Sequence, residues 1–188
     1  MSSDGNRWVL LNASPDERLQ MQRTPQLHPQ SRRGSPVRAI VLTNADVDHI
    51  LGLFVMRESE PLVIWTTHPV REAIEANALV QSLMRSKSQL TWKDIPIESE
   101  FDVEGLRICA FPTPGKPPTY RSQIERSPGD NVGLTLAASG RLLAYVSGSA
   151  GPGPYIERIG SADRILFDGT FWSSDELVRG AFGSASAE

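Results

Sequence analysis

The sequence predicts a mixed α/β domain, and three observations carry that expectation. Short runs rich in Val, Ile and Leu alternate with stretches of helical period, and Gly and Pro punctuate the boundaries between them. Two short segments, Val103-Glu-Gly105 and Ala137-Ala-Ser-Gly140, have the composition of hairpin turns. Hairpins join antiparallel strands, so the sheet is expected to contain antiparallel neighbours and not to be purely parallel and doubly wound. The 188 residues fit one domain, 1–188, with 39% hydrophobic and 22% charged residues supporting a lean core.

Taken in order, strands are predicted at Trp8–Leu11, 38–43, Leu62–Thr66, 106–111, 132–137, 142–146 and Arg164–Phe167. Helices are predicted over 45–57, where Ile50, Leu51, Leu53, Phe54 and Val55 follow charged residues, and over 69–84. The second begins with Pro69 at a first-turn position and carries Val70, Ile74, Ala78 and Leu79 at near-helical spacing. Segments 22–36 and 112–130 read as long polar, Pro-rich loops, of the kind that border sites. The tail 180–188, built of small residues, reads as frayed.

Composition also excludes classes of function. A formal charge of -3 without a Lys/Arg cluster gives no attraction for nucleic acid or an anionic membrane. The single Cys109 forms neither an internal disulfide nor a thiolate cage and is read as a small buried hydrophobe on a strand. There is no apolar run of roughly 18 residues, and the first residues lack the apolar stretch of a signal peptide. A soluble, cytoplasmic protein is therefore expected.

The segment with most chemistry is Val41-Leu-Thr-Asn-Ala-Asp-Val-Asp-His-Ile-Leu-Gly-Leu53. An apolar strand runs into a loop bearing Asn44, Asp46, Asp48 and His49, and an apolar helix follows. Carboxylates and an imidazole held between a strand end and a helix start can converge on one hard or borderline cation. The plainer alternative is that Asp46 or Asp48 caps the helix and His49 is solvated. Asp168, before Gly169, interrupts a second apolar strand. Alone it reads as a turn residue; beside the first cluster it reads as a second carboxylate at one sheet edge.

These segments, with Asn12-Ala-Ser-Pro-Asp16, Asp130-Asn-Val-Gly-Leu134 and Phe167-Asp-Gly-Thr-Phe-Trp172, resemble the coenzyme PQQ synthesis protein B family. In that family the first two histidines of the His-x-His-x-Asp-His motif of the metallo-β-lactamase fold are replaced, as by Asn44 and Asp46 here. The resemblance implies a metallo-β-lactamase-like αββα sandwich, two mixed sheets packed face to face, and a role in pyrroloquinoline quinone (PQQ) biosynthesis. Two activities are associated with the family: transport of the cofactor or its precursor towards the periplasm, and iron-dependent hydroxylation of the tyrosine ring of a cross-linked Glu–Tyr precursor. The implied cofactor is Fe(II), with Zn less favoured, and the co-substrate O2. The partners would be the peptide-derived precursor and other proteins of the pathway.

Carried over by position, Asp48 and His49 would ligate the metal and Asp168 would be the late carboxylate at the same edge. Asp46 would be a ligand or an acceptor orienting His49, and Asn44 would donate to substrate or water. Lys116 would meet a substrate carboxylate or else is an exposed loop lysine; His28 and His68 are expected to be structural or solvated. The family also carries a Cys-rich metal site ahead of Trp8–Leu11 and a further ligand histidine beyond 173–179, and this sequence has neither. The expectation is therefore a chain truncated at both ends, with weak iron affinity or, alternatively, a degraded and inactive module. A dinuclear zinc hydrolase is disfavoured by the missing histidines at Asn44 and Asp46.

Overall fold

The computed structural model describes residues 1–29, 34–54, 56, 62–77, 90–120 and 126–168. Among the described residues nine strands form two sheets. Strands β1 (Trp8–Leu11), β2 (Val37–Val41), β3 (Leu62–Thr66) and β4 (Leu90–Asp94) make a four-stranded sheet in sequence order, all pairs parallel. Strands β5 (Glu100–Val103), β6 (Leu106–Pro112), β7 (Val132–Ala138) and β8 (Arg141–Val146) form an antiparallel meander, and β9 (Arg164–Phe167) adds to β8 in parallel. The helices are α1 (Glu17–Arg23), α2 (Val47–Ile50), α3 (His68–Glu75) and α4 (Tyr155–Ile159).

Layering follows from alternation along the strands. Val9, Ala39 and Val41 of the first sheet meet Val103, Leu106, Ile108, Ala110, Val132, Leu134 and Leu136 of the second, forming the central core. The opposite face of the first sheet, Ile40, Leu42 and Ile64, packs on Ile50, Val70, Ala73 and Ile74 from the helices. Beneath the second sheet, Phe111, Ala144 and Val146 cover Tyr155 and Ile159 of α4. Each fully buried large aliphatic or aromatic side chain contributes about 1.5–3 kcal/mol. The order helix, sheet, sheet, helix is the expected αββα sandwich, and β2 is apolar almost throughout because both its faces are covered.

The two predicted hairpins form. Glu104 and Gly105 (φ 53° and 80°) join β5 to β6, and Ser139 and Gly140 (φ 49° and 72°) join β7 to β8, the two-residue geometry that suits the strand twist. Among the described strands the first sheet has parallel pairs throughout, and the second is mixed, with β9 joining an antiparallel set in parallel. Other expectations need correction. The strand expected over 38–43 spans Val37–Val41. The helix expected over 45–57 is α2 followed by a 3-10 turn, Leu51–Phe54. Its cause is Gly52, whose N–H turns to Ala13 O at 2.8 Å and leaves the regular ladder. The helix expected over 69–84 is observed as His68–Glu75, and 78–84 lies outside the described residues. The loop expected over 22–36 begins with the end of α1 and contains a 3-10 turn, Pro25–Leu27.

Strands β4 and β5 and helices α1 and α4 were not predicted. Cys109 is half-buried on the outer face of β6, not in the central core, because alternation directs it away from Ile108 and Ala110 and towards Arg158. The residues after 168, 180–188 included, lie outside the described residues. Among the described residues no helix is long and apolar enough to cross a membrane.

Candidate functional site

The ends of β2 and β7 are tied across the two sheets by Val132 N–H donating to Thr43 O at 2.9 Å. Residues just past β2 and β8 therefore meet at one end of the sandwich. There Asn12, Thr43, Tyr145 and Ser147 form a buried polar network. The Asn12 Nδ2 group lies 2.9 Å from Thr43 Oγ1 and 3.2 Å from both Tyr145 OH and Ser147 Oγ. Asn12 Oδ1 accepts from Thr43 N–H at 2.9 Å, and the Thr43 and Ser147 hydroxyls are 3.0 Å apart.

Asn44 follows Thr43 and is 1% exposed. Its Oδ1 accepts from Asp46 N–H at 3.0 Å and lies 2.6 Å from His49 Nδ1. The backbone donor fixes which end of the amide is oxygen, and that oxygen in turn requires the proton on Nδ1 of a neutral His49. The Nε2 lone pair is left free, which is the tautomer a metal-binding imidazole needs. Asn44 Nδ2 is buried without a hydrogen-bond partner and faces Gly148, where a Cβ would lie 2.9 Å from it.

His49 is largely covered, with its side chain 18% exposed, whereas Asp48 is 76% exposed. Their Nε2 and Oδ2 atoms are 4.0 Å apart, about 0.6 Å wider than two bonds of about 2.1 Å meeting at a tetrahedral angle would set them. Asp46 is half-buried at the start of α2; burial pushes its carboxyl above the usual range, His49 partly offsets this and Asp48 adds to it. Tyr120 leans in from the loop after β6, its OH donating to Ala45 O at 2.6 Å. Burial, helped by the charge of Asp46, pushes its phenol up to about 12, so it stays a donor.

The remaining predicted residues are less closely assembled. Asp168 is exposed; its N–H donates to Val146 O at 2.8 Å, which sets it level with Ser147 at the same sheet end. Among the described residues, no three His, Cys, Asp or Glu side chains form a group that could hold a metal ion, so Asp48, His49 and Asp168 are not gathered into one. Lys116 is exposed, and its backbone carbonyl accepts from Asn131 Nδ2 at 2.9 Å. His28 and His68 are exposed, the latter 3.4 Å from Glu72. Sequence reasoning assigned no role to Asn12, Tyr120, Ser147 or Gly148. Its only pointer to Asn12 was the Asn-Ala-Ser-Pro-Asp segment immediately after β1.

Comparison with known proteins accords with the fold. The β-lactamase superfamily domain matches residues 7–187. Coenzyme PQQ synthesis protein B of Ruegeria pomeroyi is 38% identical over 189 residues, covering 97% of this chain and 63% of the relative. The protein of that description from Methylorubrum extorquens is 37% identical over 191 residues, covering 98% of this chain and 63% of its own length. The chain thus spans 63% of the length of these curated relatives. The crystal structure of Zn(2+)-bound PqqB from Methylobacterium extorquens matches with a TM-score of 0.86 at 37% identity, over 95% of this chain and 62% of that one. A metallo-β-lactamase fold protein from Bacillus subtilis matches at TM-score 0.61 and 11% identity, over 86% of this chain and 59% of that one, a likeness of fold alone.

Proposed function

Since the chain is a member of the β-lactamase superfamily and a relative of coenzyme PQQ synthesis protein B, we propose that it acts in PQQ biosynthesis through a divalent metal ion held by Asp48 and His49. The observation that supports this reading most is the Asn44–His49 contact, which presents Nε2 to the ion. The fit of the described residues to a metal is partial: two donors stand together, and a third is not gathered with them. Asp168, at the same sheet end, is the carboxylate proposed to turn towards that ion.

A carboxylate and imidazole set without thiolate suits Fe(II), with Zn(II), the ion named for the Methylobacterium extorquens structure, as the less favoured occupant. Bound there, iron would supply activation of O2 for hydroxylating the tyrosine ring of the cross-linked Glu–Tyr precursor. Ring C–H becomes C–OH, and the second oxygen atom leaves as water, with two protons and two electrons from an external reductant. The chain's own residues orient and bind. Asn44 Oδ1 holds the His49 ring, with Asn44 Nδ2 buried against Gly148 and out of a substrate's reach, and Tyr120 closes one side beside Ala45. Asp46, at the start of α2 beside His49, is the acid–base group of this proposal. Lys116 is the cation offered to a precursor carboxylate from the exposed loop. Cytoplasmic action, together with other pathway proteins, belongs to the same proposal.

The test is mass spectrometry of the cross-linked peptide after incubation with Fe(II)-loaded protein, O2 and reductant. Mass gain by one oxygen per hydroxylation, lost in His49→Ala, is expected; an unchanged peptide under conditions where metal is bound would overturn the hydroxylase reading. A binding role without turnover is the second reading, favoured by the two-donor character of the gathered site. Capture of the peptide without mass gain is its signature.

A further inference from the structure

We propose that Asn12 is a positioning residue that fixes the spacing between Asn44 on one sheet and Gly148 on the other, and so holds His49 in one tautomer. The proposal rests on the reading of Asn44 and His49 as the working end of the site. Asn12 has a left-handed backbone, φ 61°, a conformation Asn tolerates better than most residues. Its backbone N–H donates to Val41 O at 2.9 Å, and its amide folds back over the end of β2. It is 7% exposed and meets partners from both sheets: Thr43 on one, Tyr145 and Ser147 on the other.

Thr43 and Ser147 immediately precede Asn44 and Gly148. The amide therefore grips the last residue before each wall of the site. Gly148 stands so close to Asn44 Nδ2 that a Cβ would lie 2.9 Å away, and this wall limits rotation of the Asn44 amide. If the strand ends part, Asn44 gains room to turn, and its oxygen no longer serves Asp46 N–H and His49 Nδ1 together. Three acceptors share the two N–H groups of Asn12, so the hydroxyls must orient in concert, and loss of the amide disturbs the whole cluster.

A merely structural role would lower stability and leave His49 untouched, so the readout is the tautomer of His49 by nitrogen-15 NMR of the full chain, with imidazoles neutral. His28 and His68, both exposed and outside the network, serve as internal references. Asn12→Gly keeps the left-handed backbone and removes the amide. Ser147→Ala keeps the Asn12–Thr43 and Asn12–Tyr145 bonds and removes only the contacts of Asn12 and Thr43 with the residue before Gly148. The parent should show predominantly the Nδ1–H tautomer. In both variants the Nδ1–H to Nε2–H ratio at His49 should fall about threefold to tenfold, the effect of losing one ordinary hydrogen bond. Asn12→Asp, which keeps an acceptor for Thr43 N–H but has no N–H for Tyr145 or Ser147, should lower the ratio likewise.

A folded Asn12→Gly with the parent ratio overturns the proposal. Should that variant fail to fold, Ser147→Ala decides in the same way. Neither metal nor precursor is needed, so a chain that couples Asn12 to His49 but binds no metal would sink the functional reading alone. One that binds metal without such coupling would sink this inference alone.

Discussion

Replacing Glu17 by Gln should flatten the dependence of stability on pH. Glu17 opens α1, is 5% exposed, and both its carboxylate oxygens are buried without a hydrogen-bond partner. Oε2 is pressed against Gly52, 2.3 Å from where a Cβ would stand. Burial alone raises its carboxyl from 4.5 to about 7. The sign follows from proton counting. As pH rises the unfolded chain releases this proton near 4.5, while the folded protein keeps it until about 7, so across that window the native state binds more protons and loses stability. Full ionisation corresponds to about 3 kcal/mol, of which roughly 2.5 kcal/mol falls between about pH 5 and about pH 8. Urea unfolding of the parent and Glu17→Gln across that range isolates the effect, because every other titrating group is shared. The absolute stability of the variant is not the test, since a buried glutamine amide also lacks partners. The difference between the two proteins should change by roughly 2.5 kcal/mol with pH; parallel profiles would refute the reasoning.

Gly148→Ala should cost about 1–2 kcal/mol from its φ of 79° and weaken metal binding by pushing on Asn44; denaturation and metal titration read the two effects. Gly133→Ala would bring a Cβ to 2.4 Å from the Phe111 ring, and overpacking should cost about 1–3 kcal/mol by thermal unfolding while leaving metal affinity unchanged.

The elements legible in the sequence are those whose apolar residues are close together. β2, covered on both faces, and β6, with Leu106, Ile108 and Ala110 turned inward, read as strands at once. β4 and β5 did not, because each lies at a sheet edge and alternates polar residues outward: Leu-Thr-Trp-Lys-Asp and Glu-Phe-Asp-Val. α1 was hidden by its polar composition. The helix after β2 was drawn too long because periodicity says nothing of the Gly52 N–H turning to Ala13 O.

At the site, Asn44, Asp46, Asp48 and His49 were legible because one strand-loop-helix segment holds them together. The grip of Asn12 on Ser147 was not, since those residues are separated by 135 positions and meet only when the two sheets close. Nor does spacing reveal that Asn44 would face His49 with its oxygen, which depends on the turn that brings in Asp46 N–H.

The central claim is that Asp48 and His49, with the imidazole oriented by Asn44, form a metal-binding edge. Anaerobic titration of the protein with Fe(II), compared with Asp48→Ala and His49→Ala, tests it most directly. One equivalent should bind to the parent, and affinity should fall by at least about tenfold in each variant without a change in the unfolding transition. Absence of binding by the parent, or equal binding by all three proteins, would contradict the account.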